Sequence, residues 1–316
     1  MKLYWYVEGC LLYLYVASMG EDFVDRIDLE KHSRDSVRIK SYNNKHLPLN
    51  IYSKYLCGPH RLILDENRKK IYTLNCYDNS ISVIDKEKFE FEGSWYVGLY
   101  PADGVLYNGN IFIVNADSNS VTVFDIDGKR VIGQFKVGNY PQKIIYNSKY
   151  NLFFVSNMNS GDILLIEPEN YTILDFIITG PNPTDIIFSE DEEYLYVANS
   201  YFDSGENGKI SIIDLREFKI VKEINAGKVP IKIYKENDFL YILNAHSNTF
   251  CRVHLVTKDK EEVYCGEAPS DFCLHDRYVY VASLGDNKIY IFDVANMEKV
   301  GVIKTRKEPS GLIIDQ

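Results

Sequence analysis

The sequence predicts an all-β fold, a seven-bladed β-propeller built from four-stranded antiparallel blades. Three observations predict it: a short apolar and aromatic run that recurs seven times, a second run that follows each copy, and a turn marked by proline that begins each unit. Helical periodicity is almost absent. Repeats of about 40 residues with four short strands each are typical of a propeller.

The first run ends in Asn or Ser in every copy, as in Leu195–Asn199. The gaps between successive end residues are 57, 40, 41, 43, 45 and 39 residues. Short β-branched and aromatic runs of this kind indicate strands. The sequence places the ends of the seven runs at Ser18, Asn75, Asn115, Ser156, Asn199, Asn244 and Ser283.

The second run predicts the third strand of each blade, and its last residue is acidic in six of the seven copies. It lies ten residues after the first mark in five copies, eleven at Glu167 and fifteen at Asp214. A carboxylate at this point is expected to form the next turn by accepting backbone N–H groups. The seven residues are Asp28, Asp85, Asp125, Glu167, Asp214, His254 and Asp293.

The proline turns predict the first, innermost strand of each blade, and they also predict how the ring closes. Pro309–Asp315 begins a unit that the chain does not finish, whereas Leu12–Ser18 begins with a second strand. We expect the N- and C-terminal strands to share one blade, which removes both open edges. Lys2–Val7 is the alternative inner strand of that blade. Residues 1–316 are predicted to form one domain, with an insertion at about residues 40–57 between the first and second blades.

Composition limits the classes of partner. The formal net charge is −10, and no run of Lys or Arg forms a basic patch, so neither nucleic acid nor an anionic membrane is an expected partner. No apolar stretch reaches the ~18 residues of a membrane helix. The six cysteines form no C-x-x-C pair, which favours buried, reduced thiols. We expect a cytoplasmic monomer without a metal or cofactor.

These marks resemble the YVTN-repeat, or YncE-like, β-propellers. The resemblance rests on Leu195–Asn199 (LYVAN), Ile210–Asp214 (ISIID), Ile81–Asp85 (ISVID) and Gly138–Pro141 (GNYP), and it covers nearly the whole chain except about residues 40–57. It implies a propeller that acts mostly as a non-enzymatic scaffold. Related propellers include lactonases of the 6-phosphogluconolactonase type, so the resemblance leaves an enzyme possible.

The residue two places after each proline is the main candidate site. These side chains are expected to line one mouth of the central channel, and their charges alternate around the ring. One hypothesis is a ring of ion pairs that neutralise one another. The alternatives are a polar ligand site or a cation held by the three aspartates. We call these residues the charged ring: Arg61, Asp103, Lys143, Asp185, Lys232 and Asp271, with Gly311 in the seventh position.

Four further candidates are expected on the same face of the propeller. His60 lies in a proline turn and His246 in a link between second and third strands. Tyr201 and Phe202 lie in the longest such link, where two adjacent aromatics suggest either an interface or packing on a neighbouring blade.

The sequence contains no nucleophile elbow, P-loop, zinc-protease motif or dinucleotide fingerprint, and we assign no catalytic residue. The favoured function is a binding or scaffold propeller, with an unknown protein or small ligand bound on the face that carries the proline turns. The alternatives are a lactonase-type hydrolase and a sensor of a small ligand or metal at the channel mouth.

Overall fold

The computed structural model describes residues 12–42 and 56–315, and within these ranges the chain forms 28 β-strands. The strands form seven four-stranded antiparallel sheets arranged as the blades of a propeller. This confirms the predicted fold class. The predicted single domain with an insertion at about residues 40–57 stays a prediction, because residues 43–55 lie outside the described part.

The strands are numbered in chain order. Blade 1 contains β1 (Tyr13–Ser18), β2 (Phe23–Asp28) and β3 (Arg34–Arg38), and blade 2 contains β4 (Pro59–Asp65), β5 (Lys70–Asn75), β6 (Ser80–Asp85) and β7 (Glu90–Tyr96). Blade 3 contains β8 (Pro101–Tyr107), β9 (Asn110–Asn115), β10 (Ser120–Asp125) and β11 (Arg130–Lys136), and blade 4 contains β12 (Pro141–Asn147), β13 (Leu152–Asn157), β14 (Asp162–Ile166) and β15 (Ile173–Ile178). Blade 5 contains β16 (Pro183–Phe188), β17 (Tyr194–Asn199), β18 (Lys209–Asp214) and β19 (Lys219–Asn225), and blade 6 contains β20 (Pro230–Glu236), β21 (Phe239–Asn244), β22 (Thr249–His254) and β23 (Lys260–Tyr264). Blade 7 contains β24 (Pro269–His275), β25 (Tyr278–Ser283), β26 (Lys288–Asp293) and β27 (Glu298–Lys304), and the last strand is β28 (Pro309–Asp315).

The last strand closes the ring. Blade 1 has the strand order β28-β1-β2-β3, and β28 pairs antiparallel with β1 from Tyr13 opposite Asp315 to Ser18 opposite Pro309. The prediction that the two ends share one blade is therefore confirmed. The alternative inner strand, Lys2–Val7, lies outside the described residues, and β28 occupies the inner position.

The glycine of the proline turn contacts the asparagine at the end of the second strand. A Cβ on Gly138 would lie 2.5 Å from the side-chain carbon of Asn157, and one on Gly98 would lie equally close to Asn115. The buried amide of Asn115 donates to the hydroxyl of Thr122 on the third strand at 2.9 Å. The glycine leaves room for an amide that links the second strand to the third, so both residues recur.

One sequence mark is corrected. The prediction placed the end of the first run of blade 4 at Ser156, but β13 ends at Asn157, which lies opposite Pro141. The amide of Asn157 contacts the position of Gly138, as the equivalent asparagines do. Glu167 then follows this mark by ten residues, as in most blades.

The acidic residue at the end of the third strand forms the next turn, as predicted. Asp28 accepts the N–H groups of Glu30 and Lys31 at 3.0 and 2.8 Å, and Asp125 accepts those of Asp127 and Gly128 at 3.1 and 3.0 Å. These turns lie on the face opposite to the proline turns, because the third strand runs away from that face.

The core lies between adjacent blades. One cluster joins Tyr72 and Leu74 of blade 2 with Ile111 and Phe124 of blade 3, and the same arrangement recurs around the ring. Tyr15, Tyr72 and Tyr280 are among the largest fully buried side chains, so tyrosine rings help to pack neighbouring sheets together.

Candidate functional site

The charged ring forms at the start of the innermost strands. Each inner strand begins at its proline, and the pairing with the second strand shifts register at the next residue, as between Pro59 and Arg61. This bulge re-aims the following side chain. The structure brings all six charged residues together around the channel.

Five ion pairs link the ring. Arg61 lies 3.4 Å from Asp103 and 3.7 Å from Asp271, so it bridges two carboxylates. Lys143 lies 3.4 Å from Asp103 and 3.8 Å from Asp185. Lys232 pairs with Asp271. Among the described residues, Asp185 therefore has a single cation within 4 Å, whereas Asp103 and Asp271 have two each.

The three aspartates also bind the next blade through its backbone. Asp185 accepts the N–H of Ile233 at 2.9 Å, Asp271 that of Leu312 at 2.8 Å and Asp103 that of Ile144 at 3.3 Å. Each donor is the residue after the neighbouring ring position. The carboxylates thus hold neighbouring inner strands together, in addition to neutralising the cations.

The environments of the carboxylates differ. Burial raises the pKa of Asp185, and Lys143 only partly offsets it. Burial also acts against ionisation of Asp271, but Lys232 and Arg61 outweigh it and lower the pKa. The number of nearby cations explains the difference.

Five of the six charged residues of the ring line a cavity that they do not fill. A cavity of about 430 Å³ is lined by the inner strands and includes Arg61, Asp103, Lys143, Lys232 and Asp271. The Nε of Arg61 is buried, and its 3.4 Å contact with Asp103 is an ion pair without hydrogen-bond geometry. Whether the charged ring binds a ligand stays a prediction.

The seventh ring position has a steric reason to be glycine. A Cβ on Gly311 would lie 2.5 Å from the carbonyl oxygen of His60 and 3.4 Å from the Cα of Arg61. The closing strand therefore approaches β4 too closely for any side chain at this point.

His60 links two blades through its ring. Its Nε2 lies 2.8 Å from the carbonyl oxygen of Pro101, so this nitrogen carries the proton and donates. Burial, assisted by the adjacent Arg61, lowers the pKa of His60 to about 4, and the ring is neutral at pH 7. Equivalent bonds join the next residue after other prolines to the following blade: Thr184 to Pro230, Ser270 to Pro309 and Ser310 to Pro59.

Two of the remaining candidates, Phe202 and His246, contact each other on the same face. Phe202 is 46% exposed, and its ring centroid lies 5.4 Å from that of His246 on the next blade. Tyr201 adopts a φ of 52° in the same link. Phe202 thus combines the two arrangements that the sequence left open, since it contacts a neighbouring blade and remains exposed.

A row of rings on this face was missed by the sequence analysis. Tyr100 and Tyr140 each precede a proline; their ring centroids are 6.4 Å apart, and Tyr100 lies 5.8 Å from His60. Tyr77 and Leu99 are 50% and 44% exposed on the same face. We call His60, Tyr100 and Tyr140 the aromatic row. The two Tyr-Pro pairs were the signal that could have revealed it.

Metal ligands, thiols and apolar helices are the remaining features of the described ranges that bear on function. No group of three or more His, Cys, Asp or Glu residues there lies close enough together to hold a metal ion. Five cysteines in those ranges are free thiols, and burial raises the pKa of each. Within residues 12–42 and 56–315, no helix is long and apolar enough to cross a membrane.

Known proteins of similar sequence or structure share the fold but differ in name. A 6-phosphogluconolactonase from Buchnera aphidicola is 21% identical over 183 residues, which are 50% of this chain and 54% of that protein. The chain thus matches about half the length of that curated relative. A Bacteroides fragilis protein provisionally named a 6-phosphogluconolactonase has a TM-score of 0.74 at 15% identity, over 97% of this chain and 98% of its own.

A protein with a different name, a hydrazine synthase, also has a similar structure. Hydrazine synthase from Kuenenia stuttgartiensis gives a TM-score of 0.72 at 16% identity, over 85% of this chain and 91% of the other. At such identities the similarity establishes the fold alone. The model of YncE-like β-propellers matches residues 57–315, and the chain therefore belongs to the YncE-like β-propeller family.

Proposed function

We propose that this chain is a non-enzymatic binding propeller that holds a partner on the face carrying the proline turns. The observation that carries the proposal is the aromatic row, which crosses neighbouring blades beside the exposed side chains of Tyr77 and Leu99. Aromatic residues on a rigid scaffold with polar surroundings are typical anchors of interfaces.

The chemistry of the channel mouth also favours binding over catalysis. The Nε2 of His60 donates its proton in a hydrogen bond to the carbonyl oxygen of Pro101, and the low pKa of His60 keeps the imidazole ring neutral. Asp103 and Asp271 each contact two cations and a backbone N–H. Groups that are paired in this way are poorly placed to take a proton from water.

Affinity capture from extracts of the native cell tests the proposal. The test variant combines Tyr201→Ser and Phe202→Ser, and a second one combines Tyr77→Ser with Leu99→Ser. The matched control is Phe176→Ser. Phe176 lies on β15 at the outer edge of blade 4, and its side chain is apolar and 56% exposed. We expect partners to be lost from either face variant at an unchanged melting temperature and kept by the control. Partners lost only from Phe176→Ser would refute the proposal.

A lactonase is the second candidate function, because two similar proteins carry that name. Asp185 is the ring residue that best suits it, since burial raises its pKa and it has the fewest cationic contacts. An acid or base with a shifted pKa is a common feature of active sites. Hydrolysis of 6-phosphogluconolactone distinguishes this candidate from the binding function.

A further inference from the structure

Blade 6 departs from the repeat at the end of its third strand, where His254 replaces an acidic residue. The Nδ1 of His254 accepts the N–H groups of Val256 and Thr257, both at 3.2 Å. These are the bonds that the carboxylates of Asp28 and Asp125 make in their blades. The substitution therefore keeps the turn and removes a negative charge, and it leaves the ring proton on Nε2.

The same turn also lacks a large side chain that packs against the preceding blade in three other blades. In three other blades a large residue with a φ near 55–62° packs against the preceding blade: Phe89, Tyr171 and Met297. Phe89 lies 6.0 Å from Tyr15, Tyr171 stacks 4.8 Å from Phe135, and Met297 is buried in a cluster with Phe250. The residue at this position in blade 6 is Lys258, which has a φ of 67° and is exposed.

An open groove lies beside this turn, between blades 5 and 6. Its volume is about 300 Å³, and Ile224, Val253 and Leu255 form its apolar part. This is at the lower end of the sizes of small-molecule sites. Lys258 lies where Phe, Tyr or Met fills the equivalent space in blades 2, 4 and 7, and blade 3 also has a lysine, Lys129, at this position.

The polar lining of the groove is cationic. Lys222, Lys258 and Lys260 all line it. Lys222 donates to the carbonyl oxygen of Leu255 at 2.7 Å, and neither Lys222 nor Lys258 lies within 4 Å of a carboxylate in the described ranges. Lys260 is neutralised by Glu262 at 3.1 Å, and the lining residue Glu223 by Lys209 at 3.0 Å. Two uncompensated ammonium groups in a protein of net charge −10 favour an anion at this place.

We propose that this groove binds a small anion with an apolar body, whose head group is a carboxylate or a phosphate. The apolar part packs against Ile224, Val253 and Leu255, and the ammonium groups of Lys222 and Lys258 bind the head group. An aspartate at position 254 would place a like charge beside that head group, which explains why this blade uses histidine for its turn. This site is independent of the face carrying the proline turns.

Calorimetric titration of the full chain with phenyl phosphate, phenylacetate and benzyl alcohol tests the proposal. We expect at least one of the two anions to bind more tightly than the alcohol, and the stronger one identifies the head group. His254→Asp should weaken that binding by about tenfold, because it places a like charge beside the head group. It should leave the melting temperature unchanged, because aspartate forms the same turn in other blades.

A second variant changes the shape of the groove and removes one of its two ammonium groups. Lys258→Met should fill the groove as Met297 does in blade 7 and should abolish binding without loss of stability. The matched control, Lys136→Met, removes an exposed lysine from β11 and should bind the anion like the native chain. Equal binding of anions and alcohol would overturn the proposal, as would full anion binding by both His254→Asp and Lys258→Met.

Discussion

At the scale of single residues, the channel mouth is held by groups that each serve two blades. The ring of His60 lies on blade 2 and donates to the carbonyl oxygen of Pro101 on blade 3. The carboxylate of Asp185 on blade 5 accepts the N–H of Ile233 on blade 6. Substitutions at these residues are therefore expected to weaken the contacts between neighbouring blades. The size of the effect depends on which buried donors or acceptors lose their partners.

His60 should make stability depend on pH. Its folded pKa of about 4 lies below the unfolded value near 6.5, so the unfolded chain binds more protons between these values and stability falls as pH falls through this window. The shift corresponds to a loss of about 2–3 kcal/mol between pH 7 and pH 4. His60→Gln keeps a donor for Pro101 and should remove this part of the pH dependence. Denaturant unfolding at pH 7 and pH 5 measures it; identical pH dependence in both proteins would contradict the assignment.

Lys143 should matter mainly through Asp185. Removing this cation leaves a buried carboxylate with no cation within 4 Å among the described residues, so Lys143→Met should cost about 2–3 kcal/mol of unfolding free energy. Adding Asp185→Asn should recover part of that loss. Lys136→Met, an exposed lysine, should have little effect. Additive losses in the double variant would show that the two charges do not support each other.

At the scale of elements, the repeat residues fix the contacts between turns and strands. Gly138→Ala tests this at a residue without a positive φ, because the new Cβ would lie 2.5 Å from Asn157. Such overpacking should cost about 1–3 kcal/mol. Adding Asn157→Ser, the residue type found at this mark in blades 1 and 7, should restore much of the loss. Gly133→Ala, where the nearest atom is 3.7 Å away, should be nearly neutral in thermal melts.

The sequence was sufficient to predict the strands, because the same pattern of apolar residues recurs with a nearly constant spacing. The one misplaced mark, Ser156 for Asn157, arose because both residue types occur at this position and only the contact with Gly138 distinguishes them. The alternating charges of the ring residues in the sequence also predicted that these residues are neighbours in the structure. The bonds from Asp103, Asp185 and Asp271 to backbone N–H groups could not be predicted, because they depend on the approach of adjacent blades.

The groove between blades 5 and 6 shows the same limit. His254 was recognised as a departure from the repeat, but its consequence depends on Lys258 and on β19 of the preceding blade. Contacts between blades combine residues about 40 positions apart, for which a single sequence gives no register. The aromatic row was missed for this reason, since Tyr100 and Tyr140 meet only across blades.

At the scale of the whole molecule, stability should depend on the strand that closes the ring. Deleting residues 309–316 removes β28, its pairing with β1 and the ion pair between Lys86 and Asp315 at 2.7 Å. We expect a loss of several kcal/mol in the free energy of unfolding, because the edges of β1 and of its neighbours are exposed.

A milder variant covers the case in which the truncated chain does not fold. Gly311→Ala places a Cβ 2.5 Å from the carbonyl oxygen of His60 and should lower the melting temperature by pushing β28 away from β4. A truncated chain that melts like the full one, or a neutral Gly311→Ala, would mean that β28 does not hold the ring closed.

The central claim, that the molecule binds a partner and does not catalyse, is tested most directly by the rate of 6-phosphogluconolactone hydrolysis. The purified chain should hydrolyse this lactone no faster than buffer does, because the ionisable groups at the channel mouth are paired with one another. A saturable rate well above that of buffer, lost in Asp103→Ala or Asp185→Ala variants that remain folded, would contradict the claim and establish the lactonase function.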